Sequence, residues 1–293
     1  MNLPFANTEM ILVGNGVMGR RHAARFTELG AHIACIADTA ADAGRIFDAP
    51  PCKEPPFFAM IASPASTHAD YVRRFLNAGC PVFVEKPLAT AAGDAVALAA
   101  LAKGKNLPLF VGHSERYHPA IPDFAAAFNS DFAAGRIAQV RTRRSSRPGR
   151  CRDVSAVFDL LIHDLDLLHL LLGAERACSV QISEASGDFD SVQAELSFGG
   201  LCVKMSADRK SAESSRGLSA YNAQGEELCS VDLAVQAEPP VRGAIRSADD
   251  ALAREYRTFA EVLRDPGAGR AALESAAWAV CAAEKIQGRL AQK

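Results

Sequence analysis

Met10-Ile11-Leu12-Val13-Gly14-Asn15-Gly16-Val17-Met18-Gly19 decides how this chain is read. Four apolar residues make a short buried strand, a G-x-G-x-x-G turn follows, and a helical pattern opens at Gly19-Arg20. The next strand-like run, His32–Ala37, ends in Asp38, 19 residues beyond Gly19 and close to the roughly 20 that a dinucleotide fingerprint requires. Each glycine has a physical task. Gly14 permits the tight turn, Gly16 lets backbone N–H groups approach a pyrophosphate, and Gly19 allows the helix to pack closely on the strand. The helix N-terminus adds partial positive charge for the phosphates. Gly14, Asn15, Gly16, Val17, Met18, Gly19 and Asp38 are therefore candidate cofactor-binding residues. Asp38 is placed to accept from ribose hydroxyls and to repel a 2′-phosphate, so the expected cofactor is NAD rather than NADP.

Outward from this turn, strand and helix alternate. Phe57–Ala62, Pro81–Glu85 and Leu107–Val111 read as buried strands, and Ala65–Ala78 and Thr90–Lys103 as helices. That alternation predicts a doubly wound parallel sheet of the Rossmann type. The stretch from Asp38 to Phe57 is short, Pro-rich over 49–56, and has no room for a full strand and helix. In open α/β sheets ligands lie beyond the carboxyl ends of the strands. Two turns fall there: Ser63-Pro64-Ala65-Ser66-Thr67-His68 and Glu85-Lys86-Pro87. Ser63, Pro64, Thr67, His68, Glu85 and Lys86 join the cofactor candidates. Lys86 stands where a reacting group belongs, and Pro87 limits how it leaves the strand.

Past residue 112 the character changes. Ile137–Ser145, Ala177–Ser183, Ser191–Phe198 and Leu201–Asp208 are strand-like, and Gly199-Gly200 is a two-residue hairpin signal. A second hairpin is expected around Asn222–Gly225. Two long helices, 249–264 and 270–290, close the chain. The expected architecture is a Rossmann domain over 1–112 and, over 113–293, an α/β domain with an open, mostly antiparallel sheet.

Val154–Leu172 is apolar on nearly every side and reads as one buried helix, capped by Asp153 or Ser155. Asp159 and His163 stand at i,i+4 within it, with Asp166 three residues further on. A polar stripe in a buried helix requires a partner. A structural network, a metal site and an acid/base pair are the three options, the last with His163 as base and Asp159 as its orienter. No further ligand cluster accompanies the stripe, so no metal is expected. Asp164, Asp166 and His169 read as capping, packing or interdomain contacts rather than catalytic groups.

The formal charge of −2 gives no reason to expect nucleic acid or an anionic membrane as partner. The 49% hydrophobic and 23% charged residues are those of a globular protein. Eight cysteines stand singly without a C-x-x-C pair, which fits reduced thiols in the cytoplasm. No apolar run approaches the roughly 18 residues of a membrane span, and no secretory leader is apparent at the N-terminus. One basic run, 141–152, holds six arginines.

Taken in order, Gly14–Gly19, Asp38, Ser63-Pro64 with Thr67-His68, Glu85-Lys86-Pro87 and Asp159-x-x-x-His163 resemble the glucose–fructose oxidoreductase/inositol dehydrogenase (Gfo/Idh/MocA) family. Gly112-His113-Ser114-Glu115-Arg116-Tyr117-His118-Pro119-Ala120 looks like its G-H-x-x-R-F-N-P-A segment, with Tyr117-His118 in place of Phe-Asn. The likeness is to the branch that includes UDP-N-acetylglucosamine(-uronate) 3-dehydrogenases. The resemblance implies NAD-dependent hydride transfer at a secondary hydroxyl of a sugar, of the nucleotide-sugar kind. Lys86, Asp159 and His163 would be catalytic, and Lys86, Arg116, Arg152 and His163 would touch substrate. It also implies a homodimer or homotetramer formed through the open sheet. A polyol or cyclitol substrate, or a non-catalytic dinucleotide-binding regulator, are the alternatives.

Overall fold

The computed structural model describes residues 3–39, 42, 46, 57–149, 153–234 and 250–291. The expectation for the short 43–57 stretch lies almost wholly outside them, and so does the one for Arg152. Two compact units emerge: Met1–Gly112 with Glu255–Ala277, and His113–Arg254 with Trp278–Lys293. The second half is thus not continuous from 113 to 293, because 255–277 returns to the first unit.

In the first unit, β1 (Thr8–Val13), β2 (Ala31–Ala37), β3 (Phe57–Ile61), β4 (Val82–Glu85) and β5 (Leu109–Gly112) form a parallel sheet of order β2-β1-β3-β4-β5. Its helices are α1 (Val17–Glu28), α2 (Ala65–Asn77) and α3 (Ala92–Lys105). The inner strands are buried almost throughout, as a sheet covered on both faces demands. On α1 the buried positions are Gly19, His22, Ala23 and Phe26, a single helical stripe. Phe26, Phe58, Phe83 and Phe5 meet there with Phe259, whose ring stands edge-on to Phe83 at 5.2 Å and to Phe58 at 5.1 Å. An aromatic core of this kind gains from edge-to-face geometry beyond its burial.

The second unit carries a six-stranded sheet of order β11-β10-β6-β9-β8-β7. The strands are β6 (Gln139–Ser145), β7 (Gln181–Gly187), β8 (Ser191–Phe198), β9 (Leu201–Asp208), β10 (Ser215–Tyr221) and β11 (Glu227–Asp232). Every pairing is antiparallel except β6 with β9. Burial alternates along β8 and β9, so one face of the sheet packs and the other is open. Gly199 and Gly200 both take positive φ, the conformation the β8–β9 hairpin needs. The other hairpin turns on Asn222, whose side-chain oxygen accepts from Gln224 N–H and Glu226 N–H. Its helices include α4 (Ile121–Ala133) and α5 (Ile162–Ala177). Two later helices, α6 (Ala251–Arg264) and α7 (Arg270–Leu290), run across the residues at which the units divide.

Two expectations need correction here. The stretch 154–172 is not a uniform α-helix: Val157–Leu161 forms a π turn before α5 begins. Its N-cap residue is Ala156 without a side-chain cap, and the Ser155 hydroxyl donates to Gln287 Oε1 at 2.5 Å instead. Residues 177–180 are not strand. Gly173 (φ 76°, ψ 160°) interrupts α5, the good helix formers Ala174–Arg176 resume it to Ala177, and β7 starts only at Gln181.

Candidate active site

The glycine turn has the form a pyrophosphate requires. Gly14 takes φ 92°, and a Cβ there would lie 2.6 Å from Ala62 O and Ser63 N. A Cβ on Gly19 would meet Gly14 O at 1.9 Å, so close helix–strand packing demands glycine. Gly16 is different: nothing lies within 4 Å of its Cβ position. That open side is what a phosphate approaching backbone N–H groups needs. Val17 and Met18 begin α1, and Val17 is 75% exposed, an apolar side chain left for something to cover. Asp38 lies exposed at the end of β2, its carboxylate accepting from Asn15 N–H at 2.6 Å. The residues therefore fit a dinucleotide.

The turns after β3 and β4 are joined to this rim. Ser63 Oγ and Thr67 Oγ1 are 2.8 Å apart, and the Thr67 hydroxyl also reaches Pro64 O at 2.7 Å. His68 is not on the rim but beneath it, with both ring nitrogens against backbone carbonyls of the two turns. Lys86 is half-buried, precedes Pro87 through a cis peptide bond, and gives its backbone N–H to Glu85 Oε2 at 3.1 Å. Glu85 Oε1 lies 2.6 Å from His22 Nε2. On the ring's other side Tyr256 OH stands 2.8 Å from His22 Nδ1. Burial by itself would raise the Glu85 carboxyl. The His22 hydrogen bond and charge, with Lys86 and His68, more than offset this and hold it below the usual carboxylate range. Burial pushes the Tyr256 phenol well above its ordinary value, helped by the Glu255 and Glu85 charges, so its hydroxyl keeps its proton.

In the second unit Asp159 lies within the π turn and His163 is the second residue of α5. A π turn closes from i to i+5 rather than i to i+4, so the spacing of a uniform α-helix does not hold through Asp159. Asp159 has Arg209 Nη1 at 3.6 Å. The same buried guanidinium donates to Val154 O at 2.8 Å and Phe189 O at 3.0 Å, and pairs with Asp190 at 2.7 Å. It pins the start of the helical segment that carries Asp159. The His163 ring faces His113 at 6.0 Å between centroids, nearly perpendicular.

Around this lies a buried ionic lattice. Arg144 donates from Nε and Nη2 to Asp164 Oδ1 and from Nη1 to Glu115 Oε1, which also receives Arg216 Nη1 at 3.2 Å. Arg116 closes a two-pronged fork on Asp166 at 2.8 and 2.9 Å. Burial would raise the Glu115 carboxyl, but Arg144 and Arg216 bring it below the usual range. Asp164 goes the other way: its complete burial outweighs Arg144 and leaves it raised. Arg116, expected against substrate, thus has its guanidinium engaged by Asp166. Elsewhere in the basic run, Arg141 stacks over Tyr221 at 4.3 Å, and Arg147 donates to Ala212 O. Among the described residues no three His, Cys, Asp or Glu side chains gather to hold a metal, and no helix is long and apolar enough to cross a membrane.

Several of these residues escape sequence reasoning. His22 shares a helical stripe with Gly19 and Phe26, and Arg144 shares strand parity with the buried Val140 and Thr142. Both signals were present as spacing. Arg209 and Tyr256 left none: Asp159 lies 50 positions from Arg209, and His22 lies 234 positions from Tyr256.

A five-stranded parallel sheet with a glycine turn after its first strand and an acid after its second defines a dinucleotide-binding Rossmann domain. Residues 8–113 match the family model described as an oxidoreductase family with an NAD-binding Rossmann fold. The match is confined to the nucleotide-binding part of the chain, and that part is similar to the Gfo/Idh/MocA oxidoreductases. The chain is 31% identical over 173 residues to a UDP-N-acetylglucosamine 3-dehydrogenase of Acidithiobacillus ferrooxidans, covering 56% of this chain and 54% of the relative. It is 35% identical over 119 residues to an inositol 2-dehydrogenase of Gluconacetobacter diazotrophicus, covering 40% and 35%. The aligned part thus spans about half the length, or less, of these relatives. The solved structure of the Acidithiobacillus ferrooxidans UDP-N-acetylglucosamine 3-dehydrogenase GnnA shares the fold, with a TM-score of 0.68 over 97% of both chains at 23% identity.

Proposed function

We propose that the chain is an NAD-dependent oxidoreductase that transfers a hydride between nicotinamide and a secondary hydroxyl of a sugar, of the nucleotide-sugar type. One observation carries the reading. The glycine turn, the Ser63–Pro64 turn and the Lys86–Pro87 turn form one rim, with Gly14 set against Ala62–Ser63 and His68 joining the other two. A rim built for a dinucleotide therefore continues without a break to a lysine.

Gly14, Asn15, Gly16, Val17, Met18 and Gly19 hold the pyrophosphate by backbone N–H groups and the α1 terminus. Asp38 accepts from the ribose hydroxyls. Ser63, Pro64, Thr67 and Glu85 shape the rim towards the nicotinamide end. When bound, NAD supplies the two-electron acceptor for the carbinol hydrogen. Lys86 donates a hydrogen bond to the substrate oxygen and stabilises its developing negative charge. His163 takes the hydroxyl proton, and Asp159, held by Arg209, orients it. Arg116 acts through Asp166, which it fixes. Arg152 is the candidate for a substrate diphosphate, since an Arg fork matches phosphate geometry. The protein works as a homo-oligomer through the open sheet face, in the cytoplasm.

A free polyol substrate is the second reading. Arg144 is buried on two carboxylates and Arg141 lies on Tyr221, which removes two arginines of the basic run from any diphosphate. The inositol dehydrogenases among the relatives point the same way. NADH absorbance, followed while NAD is offered with UDP-sugars and with inositols and linear polyols, separates the two. Tight NAD binding without turnover on either set would instead indicate a regulator.

A further inference from the structure

His68 lies on the buried face of α2 and is 1% exposed. Its Nδ1 is 2.7 Å from the carbonyl oxygen of Pro87, and its Nε2 is 2.9 Å from that of Ser63. A carbonyl oxygen can only accept, so each contact needs an N–H on the ring. A neutral imidazole carries one and the imidazolium carries two. Turning the ring over would place carbons at these positions, but C–H···O contacts run to about 3.3–3.6 Å. The two short distances therefore mark nitrogens.

We propose that His68 is a buried imidazolium that ties the turn after β3 to the turn after β4, and so is a positioning residue for Lys86. The proposal rests on the reading in which Lys86 acts on the substrate hydroxyl. A cation inside a protein needs a counter-charge, and Glu85 at the end of β4 provides it. Burial pushes Glu85 up, yet the His22 bond and the charges of His22, Lys86 and His68 together keep it ionised. Among the described residues, Glu85 on the β4 turn feels the charges of His22 on α1, of Lys86 beside it and of His68. The charges of α2 itself are engaged at the surface, Arg74 with Asp70 and Arg73 with Asp94 of α3. Removing one ring proton would set a nitrogen lone pair against a carbonyl lone pair. One of the two turns would then let go, and Lys86 would lose its fixed exit from the strand.

The experiment is ¹⁵N NMR of the full protein labelled in its histidine rings, with the His68 signals identified by their absence in His68→Gln. Both ring nitrogens of His68 are expected to show protonated shifts at neutral pH. A neutral tautomer there overturns the proposal, whether or not the protein oxidises any sugar. Kinetics test the positioning role. In His68→Gln, kcat should fall by roughly 10²-fold, the scale for a misplaced reacting group, with NAD affinity nearly kept. Wild-type turnover should decline at high pH along the His68 NMR titration, and the variant should lack that limb. A variant that melts lower but keeps kcat and the pH profile would make His68 purely architectural and overturn the proposal. If the variant does not fold, agreement or disagreement between the wild-type NMR titration and pH profile decides. A wild-type protein with no turnover sinks the oxidoreductase reading separately, and the ring's protonation state is then judged by NMR alone.

Discussion

Tyr256 and His22 stand 234 positions apart in sequence and 2.8 Å apart in space, phenol to ring nitrogen. The contact lets His22 present its other nitrogen to Glu85, the neighbour of Lys86. A residue near the end of the chain thereby reaches the turn on which the proposed chemistry depends. Replacing Tyr256 by Phe keeps the ring packing and strands His22 Nδ1, at a cost of about 1–3 kcal/mol. Denaturant melts should show this loss as a lower midpoint with an unchanged slope. An unaltered midpoint would mean that the hydroxyl contributes nothing to the unit.

Acid should unfold the protein in a way traceable to named carboxylates. Glu85 and Glu115 are held below their unfolded values. Their stabilisation is present above about pH 4.5, near the unfolded carboxylate value, and is lost as pH falls through the folded value. Asp164 is raised, so its contribution has the opposite sign: present at low pH and lost as pH rises through its folded value. Through Glu85 and Glu115, melting temperature should fall on acidification below that point. Glu85→Gln should flatten the fall. A slope as steep in the variant as in the parent would remove Glu85 from the account.

Arg144 is the hub of the lattice in the second unit. Arg144→Met should destabilise by about 3–5 kcal/mol, because Glu115 and Asp164 remain buried without their cation. Restoring an apolar set, with Glu115 and Asp164 also made neutral and apolar, should recover much of it. Chemical denaturation of the single and triple variants checks both statements.

Cofactor preference follows from Asp38. NAD should bind at least about tenfold more tightly than NADP, since a 2′-phosphate would face a carboxylate already fixed on Asn15 N–H. Calorimetric titration with each cofactor measures the ratio, and Asp38→Asn should narrow it. Equal affinities in the parent protein would sink the assignment.

For the reacting groups, Lys86→Met should lower turnover by roughly 10²-fold or more while NAD binding persists. His163→Ala, Asp159→Ala and the double variant should leave similar residual rates, since residues acting as one unit do not add. Steady-state kinetics beside thermal melts distinguish this from architecture. Large melting losses with near-normal turnover would move the base elsewhere.

The first unit was legible because short-range pattern governs it. The apolar runs, the G-x-G-x-x-G turn and the acid after the second strand each report on neighbours within a few tens of residues. The second unit was legible as a sheet but less so as a site. The 154–172 run has the composition of a helix, and nothing in composition distinguishes a π turn from an α turn, so the offset at Asp159 was hidden. Arg116 read as a substrate contact and Arg144 as one cation of a basic run. Their partners Asp166 and Asp164 looked like packing groups in an apolar helix, and only tertiary structure joins the two sets. His68 was readable as part of the turn after β3, but its burial and its two carbonyl partners were not.

The chain leaves the first unit after Gly112, returns at Glu255 and leaves again after Ala277. The returning stretch brings Phe259 into the aromatic core and Tyr256 onto His22. No single crossover point in the gene therefore divides the protein into exchangeable halves. A recombinant that took a new partner for residues 1–112 would also take a foreign wall for the nucleotide unit's own core. The 255–277 stretch belongs with residues 1–112, whose aromatic core it completes.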